Sequence, residues 1–397
     1  DRALAARAAL PEHLRDRYSP HEFIGPELAG VYAMTSLVIG RAGAGTIAEL
    51  AYVGLPAILI PLPLSGGGEQ ERNANVLASA GAAVVIPLEA RKLPAGACWQ
   101  VDWPAVAEKV PGAHAVALAA RFPAAAAAFE TADAALGFPL SSIIFEGPED
   151  DLVSTSNQQP ALLVTSVAYL RVLSELGRLP DPACVAGHSL GEYSALVAVG
   201  ALDLADAVRL VRRRGELMEA YGRGGMIAVI GLDMDALTPV CEAVGVEVAN
   251  INAPGQVTLS GHDDALELAT ERARVLGARR VVRLAVNGAF HSSLMEPVKA
   301  ELGPMIESTT FSEPRVPVIA NVDARLLTNP VDIKRELIEQ ITASVRWIDV
   351  IQQATNRGVA DFYEVGPGTV LSGLVKRIAP EANTQAADAL LQDVLAS

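Results

Sequence analysis

The chain has 397 residues, 51% hydrophobic and 19% charged, with a formal net charge of −15. That length admits two or three domains with separate cores, and the acidic balance argues against nucleic acid or an anionic membrane surface as the main partner. No apolar run approaches the roughly 20 residues of a membrane helix, no signal-peptide pattern is read, and Cys98, Cys184 and Cys241 lack the spacing of a disulfide framework or zinc site, so a cytoplasmic protein without membrane insertion, and without a bound metal, is expected.

The opening DRALAARAALPEHL already reads as helix, as though it began within a domain. SLVIG (36–40), AILIPLP (57–63) and GAAVVIPL (81–88) read as buried strands, with RAGAGT (41–46) and a helix from about Ile47 to Val53 between the first two. This is an incomplete Rossmann-like α/β pattern over residues 1–90. Its Gly-rich loop suits either an anion at a helix N-terminus or a plain tight turn. Residues 91–112 have no clear period and read as a junction.

An Ala-rich helix is expected across 115–136 and a buried helix across 160–177, stopped by Gly177 and Pro180. ACVAG (183–187) reads as a short strand leading into GHSLG, where Ser189 sits between Gly187 and Gly191. That spacing suits a sharp strand-to-helix turn that exposes a hydroxyl. Residues 204–221 form a helix capped by Asp203, on which Ala207, Leu210, Val211, Leu217, Met218 and Tyr221 share a stripe. Arg214 falls inside that stripe, whereas Arg212 points to the opposite, solvated side. A buried guanidinium needs a carboxylate, from the protein or from a ligand, and the pattern leaves both open.

Residues 226–286 read as an insert in the order βαββαβ, which is ferredoxin-like. It would form a lid hinged at Gly222, Gly224 and Gly225 and again near Gly288, splitting the main domain into 113–225 and 287–390. His291, where the chain leaves the insert, suits a general base facing a cleft. Gln340 lies near a buried helix face, and its plain reading is a helix-end amide. GPG at 366–368 follows the strand DFYEV and reads as a rigid turn.

These segments together resemble the malonyl-CoA:acyl carrier protein transacylase family, from about residue 115 to 385. The resemblance is carried by NQQPALL (157–163), GHSLGEYSAL (187–196), DAVRLVRRRGELM (206–218), NINAPGQVTLSGH (250–262), GAFHSSLMEP (288–297), EQITASVRW (339–347) and EVGPG (364–368). It implies an α/β-hydrolase-like acyltransferase domain in which Ser189 is acylated, His291 is its base and Arg214 binds the malonyl carboxylate. It further implies that Gln340 marks the segment whose backbone orients the histidine and that Leu190 N–H is an oxyanion donor. Phe290 matches the malonyl-selective form of its motif. The implied substrates are malonyl-CoA and phosphopantetheinylated acyl carrier protein, with no bound cofactor, and Arg279, Arg280 and Arg283 are candidates for docking the acidic carrier.

Two departures stand out. The family's opening strand and Gly-Gln-Gly-Ser-Gln loop, which supplies a second oxyanion donor, is replaced by KVPGAHAVALAARFP (109–123), and one lost donor typically costs about 10²–10³-fold in turnover. Upstream, LVIGRAGAGTIAELAYVGLPAILIPLP and GGGEQERNANVLASAGAAVVI resemble the C-terminal half of the peptidoglycan glycosyltransferase that moves N-acetylglucosamine from UDP to lipid I. That resemblance implies Gly43, Gly45 and Thr46 near a nucleotide sugar, Glu49 at its ribose, and Gln70 with Asn73 at the sugar. The alternatives to acyl transfer are therefore a catalytically impaired or dead fusion, or a remnant that binds UDP-N-acetylglucosamine.

Overall fold

The computed structural model describes residues 38–40, 57–59, 74, 83–85, 113–147, 151–152, 154–284 and 286–395. By its internal contacts the chain divides into two compact units, Asp1–Lys109 and Val110–Ser397. In the first unit, β1 (Val38–Gly40), β2 (Ala57–Leu59) and β3 (Ala83–Val85) form a parallel sheet in chain order. Each lies within one of the three apolar runs, as expected of continuously hydrophobic segments in a parallel sheet. The helix expected from Ile47 to Val53 and the 91–112 junction lie outside the described residues.

The second unit opens with α1 (Ala113–Arg121), α2 (Pro123–Leu136) and α3 (Leu140–Glu146). The single helix expected over 115–136 is thus two. Pro123 cannot donate the hydrogen bond that would continue α1, and it pushes Phe122 into extended backbone (φ −122°). The next helix, α4 (Thr155–Glu175), starts five residues before the expected 160 and carries Pro160 within it; Gly177 follows its end with φ +65°.

β4 (Val185–Ala186) leads through the elbow to α5 (Gly191–Ala198) and α6 (Leu204–Ala220), whose N-cap is Asp203, its side chain accepting from Ala205 N–H. The insert follows as β5 (Gly225–Ile230), α7 (Met234–Val244), β6 (Glu247–Ala253), β7 (Gln256–Gly261), α8 (Asp263–Val275) and β8 (Arg280–Arg283). Its strands make one antiparallel sheet ordered β6-β7-β5-β8. Leu237, Val240, Leu266 and Ala269, from the two helices, are buried against Ile227, Val229 and Leu259 of that sheet. The last strand ends at Arg283, short of the insert's expected end at 286.

The chain returns through α9 (Glu296–Ser308), β9 (Val318–Ile319), β10 (Leu326–Leu327), α10 (Pro330–Glu339) and α11 (Trp347–Asn356). β11 (Asp361–Glu364), α12 (Val370–Ile378), β12 (Asn383–Ala386), α13 (Ala387–Leu390) and α14 (Gln392–Leu395) complete it. β4 pairs in parallel with β9, which pairs antiparallel with β10; β11 and β12 form a separate parallel pair. The main core packs α4, α6, α9 and α10 around Tyr169, Tyr193, Leu210 and Met218. No helix among the described residues is long and apolar enough to cross a membrane.

Two sets of backbone bonds fix the insert. At its neck Ala289 N–H donates to Arg223 O (3.0 Å), and a Cβ on Gly222 would come within 2.3 Å of Asn287 O. On its far side Ile251 N–H donates to Val345 O (2.9 Å) and Val345 N–H to Ala249 O (2.9 Å). β6 is thereby bonded to the segment that follows α10.

Candidate active site

The elbow is built by close approach. A Cβ on Gly187 would fall 1.9 Å from the Gly191 carbonyl, so a side chain there is incompatible with the turn. The turn leaves Ser189 with φ +52°, a region non-glycine residues rarely occupy and a recurrent mark of functional sites. Asn321 clamps the turn: its Oδ1 accepts from Ser189 N–H (2.7 Å) and its Nδ2 donates to Gly187 O (2.8 Å).

His291 also has positive φ (+56°) and is buried in the loop between β8 and α9. Its Nδ1 lies 2.9 Å from Gln340 O and 3.1 Å from Ala343 O. Carbonyls only accept, so Nδ1 carries the proton and Nε2 is left to accept from Ser189 Oγ–H at 2.7 Å. Burial first, then the charge of Arg214, pushes the His291 pKa down to about 3 despite the carbonyl contacts. The neighbouring His188 is turned elsewhere: its Nε2 donates to Asn252 Oδ1 (2.8 Å) and its ring leans on Trp347.

Arg214 is 3% exposed within α6, among the buried Leu210, Val211, Leu217 and Met218 of the predicted stripe. Its Nη1 donates to Gln159 Oε1 (2.7 Å), and its Nη2 donates to Gln340 Oε1 (3.2 Å) and Ser189 Oγ (3.1 Å). Those acceptors are neutral, its Nε has no hydrogen-bond partner, and no described carboxylate lies in ion-pair range. Of the two readings open from sequence, a protein carboxylate is therefore not the one seen. Gly215 lets α6 approach closely here, since a Cβ would meet Thr155 O at 2.6 Å.

Arg212 corrects its solvated reading. It is half-buried, donating to Glu216 Oε1 (2.7 Å) and Asn157 Oδ1 (2.5 Å) and lying over the Phe138 ring. Its long side chain bends back over α4, which sequence spacing on α6 alone does not show.

Ser189, Leu190, Arg214, Phe290 and His291 line one cleft of about 540 Å³, together with residues of α4. Leu190 N–H has no hydrogen-bond partner among the described residues, as an anion-binding amide requires, and Phe290 is fixed by Ser260 Oγ–H donating to its carbonyl (2.6 Å). Gln340, 1% exposed at the C-terminal cap of α10, meets the site through both backbone and side chain. Ala113 and His114, within the segment that stands in place of the family's opening loop, begin α1, with His114 Nδ1 contacting Tyr169 OH and Asp388 Oδ1 (both 3.0 Å). Gly43, Gly45, Thr46, Glu49, Gln70 and Asn73 lie outside the described residues. Arg279, Arg280 and Arg283 are exposed, the last paired with Asp263.

Three polar residues went unread in the sequence. Gln159 is a buried polar side chain on α4, as Ser156 and Thr165 are. Glu192 is 1% exposed, and its carboxylate accepts from Asn321 N–H (2.7 Å) and from the Gln340 amide. Burial and the nearby Glu336 raise its pKa well above the carboxylate range; burial raises Glu336 itself to about 7. Asn321 gave no local signal at all, because its side-chain partners, Ser189 and Gly187, are more than a hundred residues distant.

The family model described as "Acyl transferase domain" matches residues 112–391, and "Glycosyltransferase family 28 C-terminal domain" matches residues 12–95. The malonyl CoA-acyl carrier protein transacylase of Bacillus subtilis is 48% identical over 264 residues, covering 64% of this chain and 83% of that protein. The Escherichia coli K12 enzyme of the same name is 42% identical over 268 residues, covering 66% and 86%. Among solved structures, an acyl-carrier-protein S-malonyltransferase from Burkholderia pseudomallei superposes with a TM-score of 0.68 at 37% identity, covering 72% of this chain and 95% of that one. A malonyl-transacylase in complex with its type II polyketide acyl-carrier protein gives 0.67 at 38% identity, covering 70% and 94%. With a mixed α/β fold shared by these structures and the family model spanning most of its length, the chain belongs to the acyl transferase domain family.

Proposed function

We propose that the chain is an [acyl-carrier-protein] S-malonyltransferase, moving malonyl from malonyl-CoA to the phosphopantetheine thiol of acyl carrier protein through an ester on Ser189, as part of fatty acid biosynthesis in the cytoplasm. One observation carries this reading: a buried arginine with no described carboxylate in ion-pair range shares the Ser189 hydroxyl with a neutral histidine. A malonyl thioester has the matching parts, an electrophilic carbonyl and a carboxylate two bonds away. The carboxylate bonds to the Arg214 fork, and Phe290 limits room beside it.

In the first half-reaction Ser189 Oγ attacks the thioester carbonyl as His291 Nε2 takes its proton. Leu190 N–H donates to the tetrahedral oxyanion. The oxyanion collapses, the C–S bond breaks, and coenzyme A leaves as a thiol with the proton from His291. In the second half the pantetheine thiol gives its proton to His291 and attacks the ester, and Ser189 recovers that proton as it leaves. The reaction needs no resident cofactor.

The parts are read as follows. Residues 113–225 and 287–390 form the α/β-hydrolase-like body, the insert of 226–286 a ferredoxin-like subdomain, residues 91–112 a junction, and 1–90 an incomplete Rossmann-like domain without a role in this chemistry. The basic residues Arg279, Arg280 and Arg283 suit a carrier-docking face. Initial rates with malonyl-CoA and carrier protein both varied should give parallel double-reciprocal lines, and intersecting lines would rule out the seryl ester.

A further inference from the structure

We propose that Glu192, at the start of α5, is a positioning residue for acyl selectivity: its carboxylate fixes the Gln340 side chain in the orientation that presents an oxygen to Arg214. The inference rests on the reading of Arg214 as the site for the substrate carboxylate. Glu192 itself is 1% exposed and is not among the residues lining the cleft, so it acts through a neighbour.

The argument is one of donors and acceptors. Gln340 Nε2 donates to Glu192 Oε2 and to Ser189 O (2.9 Å). The Ser189 carbonyl has no hydrogen to give, and Glu192 meets a donor on each oxygen, the second being Asn321 N–H (2.7 Å); these two bonds favour its ionised form against the burial that raises its pKa. The amide nitrogen of Gln340 must therefore point towards Ser189 and Glu192, which leaves Oε1 facing Arg214 Nη2 at 3.2 Å. Turned over, the amide would set oxygen against oxygen on one side and an NH₂ against a guanidinium on the other. Gln340 Oε1 and Gln159 Oε1 (2.7 Å) hold the two ends of the Arg214 fork, so its plane follows the amide. Here the intervening amide passes orientation on without neutralising the charge that the substrate needs.

Glu192→Gln keeps the size of the side chain and reverses this logic. Asn321 N–H is a backbone donor that cannot turn, so the new amide keeps its oxygen there and sets its NH₂ against Gln340 Nε2. Gln340 is then left with its NH₂ against another NH₂ or, turned over, with its oxygen against the Ser189 carbonyl and its own NH₂ towards Arg214; either way the oxygen that held the Arg214 fork is no longer fixed. In the full chain, the ratio of kcat/KM for malonyl-CoA to that for acetyl-CoA should fall about ten- to hundredfold, mainly through the KM for malonyl-CoA. Gln340→Ala should lower the ratio comparably, and adding Glu192→Gln to Gln340→Ala should leave it there. The double variant also serves should the single one not fold, since the two NH₂ groups no longer meet. Equal losses for both thioesters in Glu192→Gln, or a further drop in the double variant, would overturn the proposal. An unchanged ratio in Arg214→Ala would instead bring down the reading on which it rests.

Discussion

Arg214 concentrates the energetics of the site. A guanidinium 3% exposed and held only by neutral acceptors is a desolvated charge that a ligand carboxylate would satisfy. Removing one member of such a buried pair typically costs about 2–5 kcal/mol, so Arg214→Ala should lower kcat/KM for malonyl-CoA about 30-fold or more while sparing acetyl-CoA. Competing the two thioesters against each variant measures this directly. Arg214 also lowers the proton affinity of His291, the proposed base. With burial, its charge holds the His291 pKa near 3, so the imidazole stays neutral, and able to accept, far below the ordinary 6.5. Protonation abolishes the base, so activity falls only as pH drops towards that value. With acetyl-CoA as substrate, the acid limb of kcat/KM should move to higher pH in Arg214→Ala; a limb at the same pH in both proteins would contradict the coupling. Ser189, His291 and Arg214 were legible in the sequence because each breaks a local pattern: a serine between glycines, a histidine at a junction, a charge in an apolar stripe. Glu192 and Asn321 were not, since their meaning lies in partners brought together from α10 and the β9–β10 turn.

At the level of elements, the site depends on two short turns that hold Ser189 and His291 in left-handed backbone. The β4–α5 turn closes because Gly187 has no Cβ where the Gly191 carbonyl passes. Gly187→Ala should force the turn open, destabilise the fold by about 1–3 kcal/mol and abolish acylation; thermal unfolding beside an acylation assay reads both. The His291 turn is held from outside. Segment 343–345 supplies Ala343 O to the imidazole and pairs through Val345 with β6, so the insert and His291 share one strip of backbone. The insert's element order was readable from alternating strands and amphipathic helices. That bridge was not, because strand alternation gives no partner for an edge. Pro123 was visible, yet the Ala-rich composition around it outweighed a break that its missing N–H makes inevitable.

For the whole molecule, the family match over residues 112–391 and the compact unit from Val110 to Ser397 coincide closely. The three strands of the first unit fall inside the apolar runs that announced them. Continuous hydrophobicity is a strong signal, whereas the polar residues assigned there to a nucleotide sugar lie outside the described residues. The acyl-transfer account needs only the second unit, and it stands on one covalent event. Incubating the purified full chain with radiolabelled malonyl-CoA, then mapping the labelled peptide beside the Ser189→Ala variant, tests it most directly. The account predicts one malonyl ester on Ser189 and no label in the variant; label persisting in Ser189→Ala, or wild-type protein that takes up none, would contradict it.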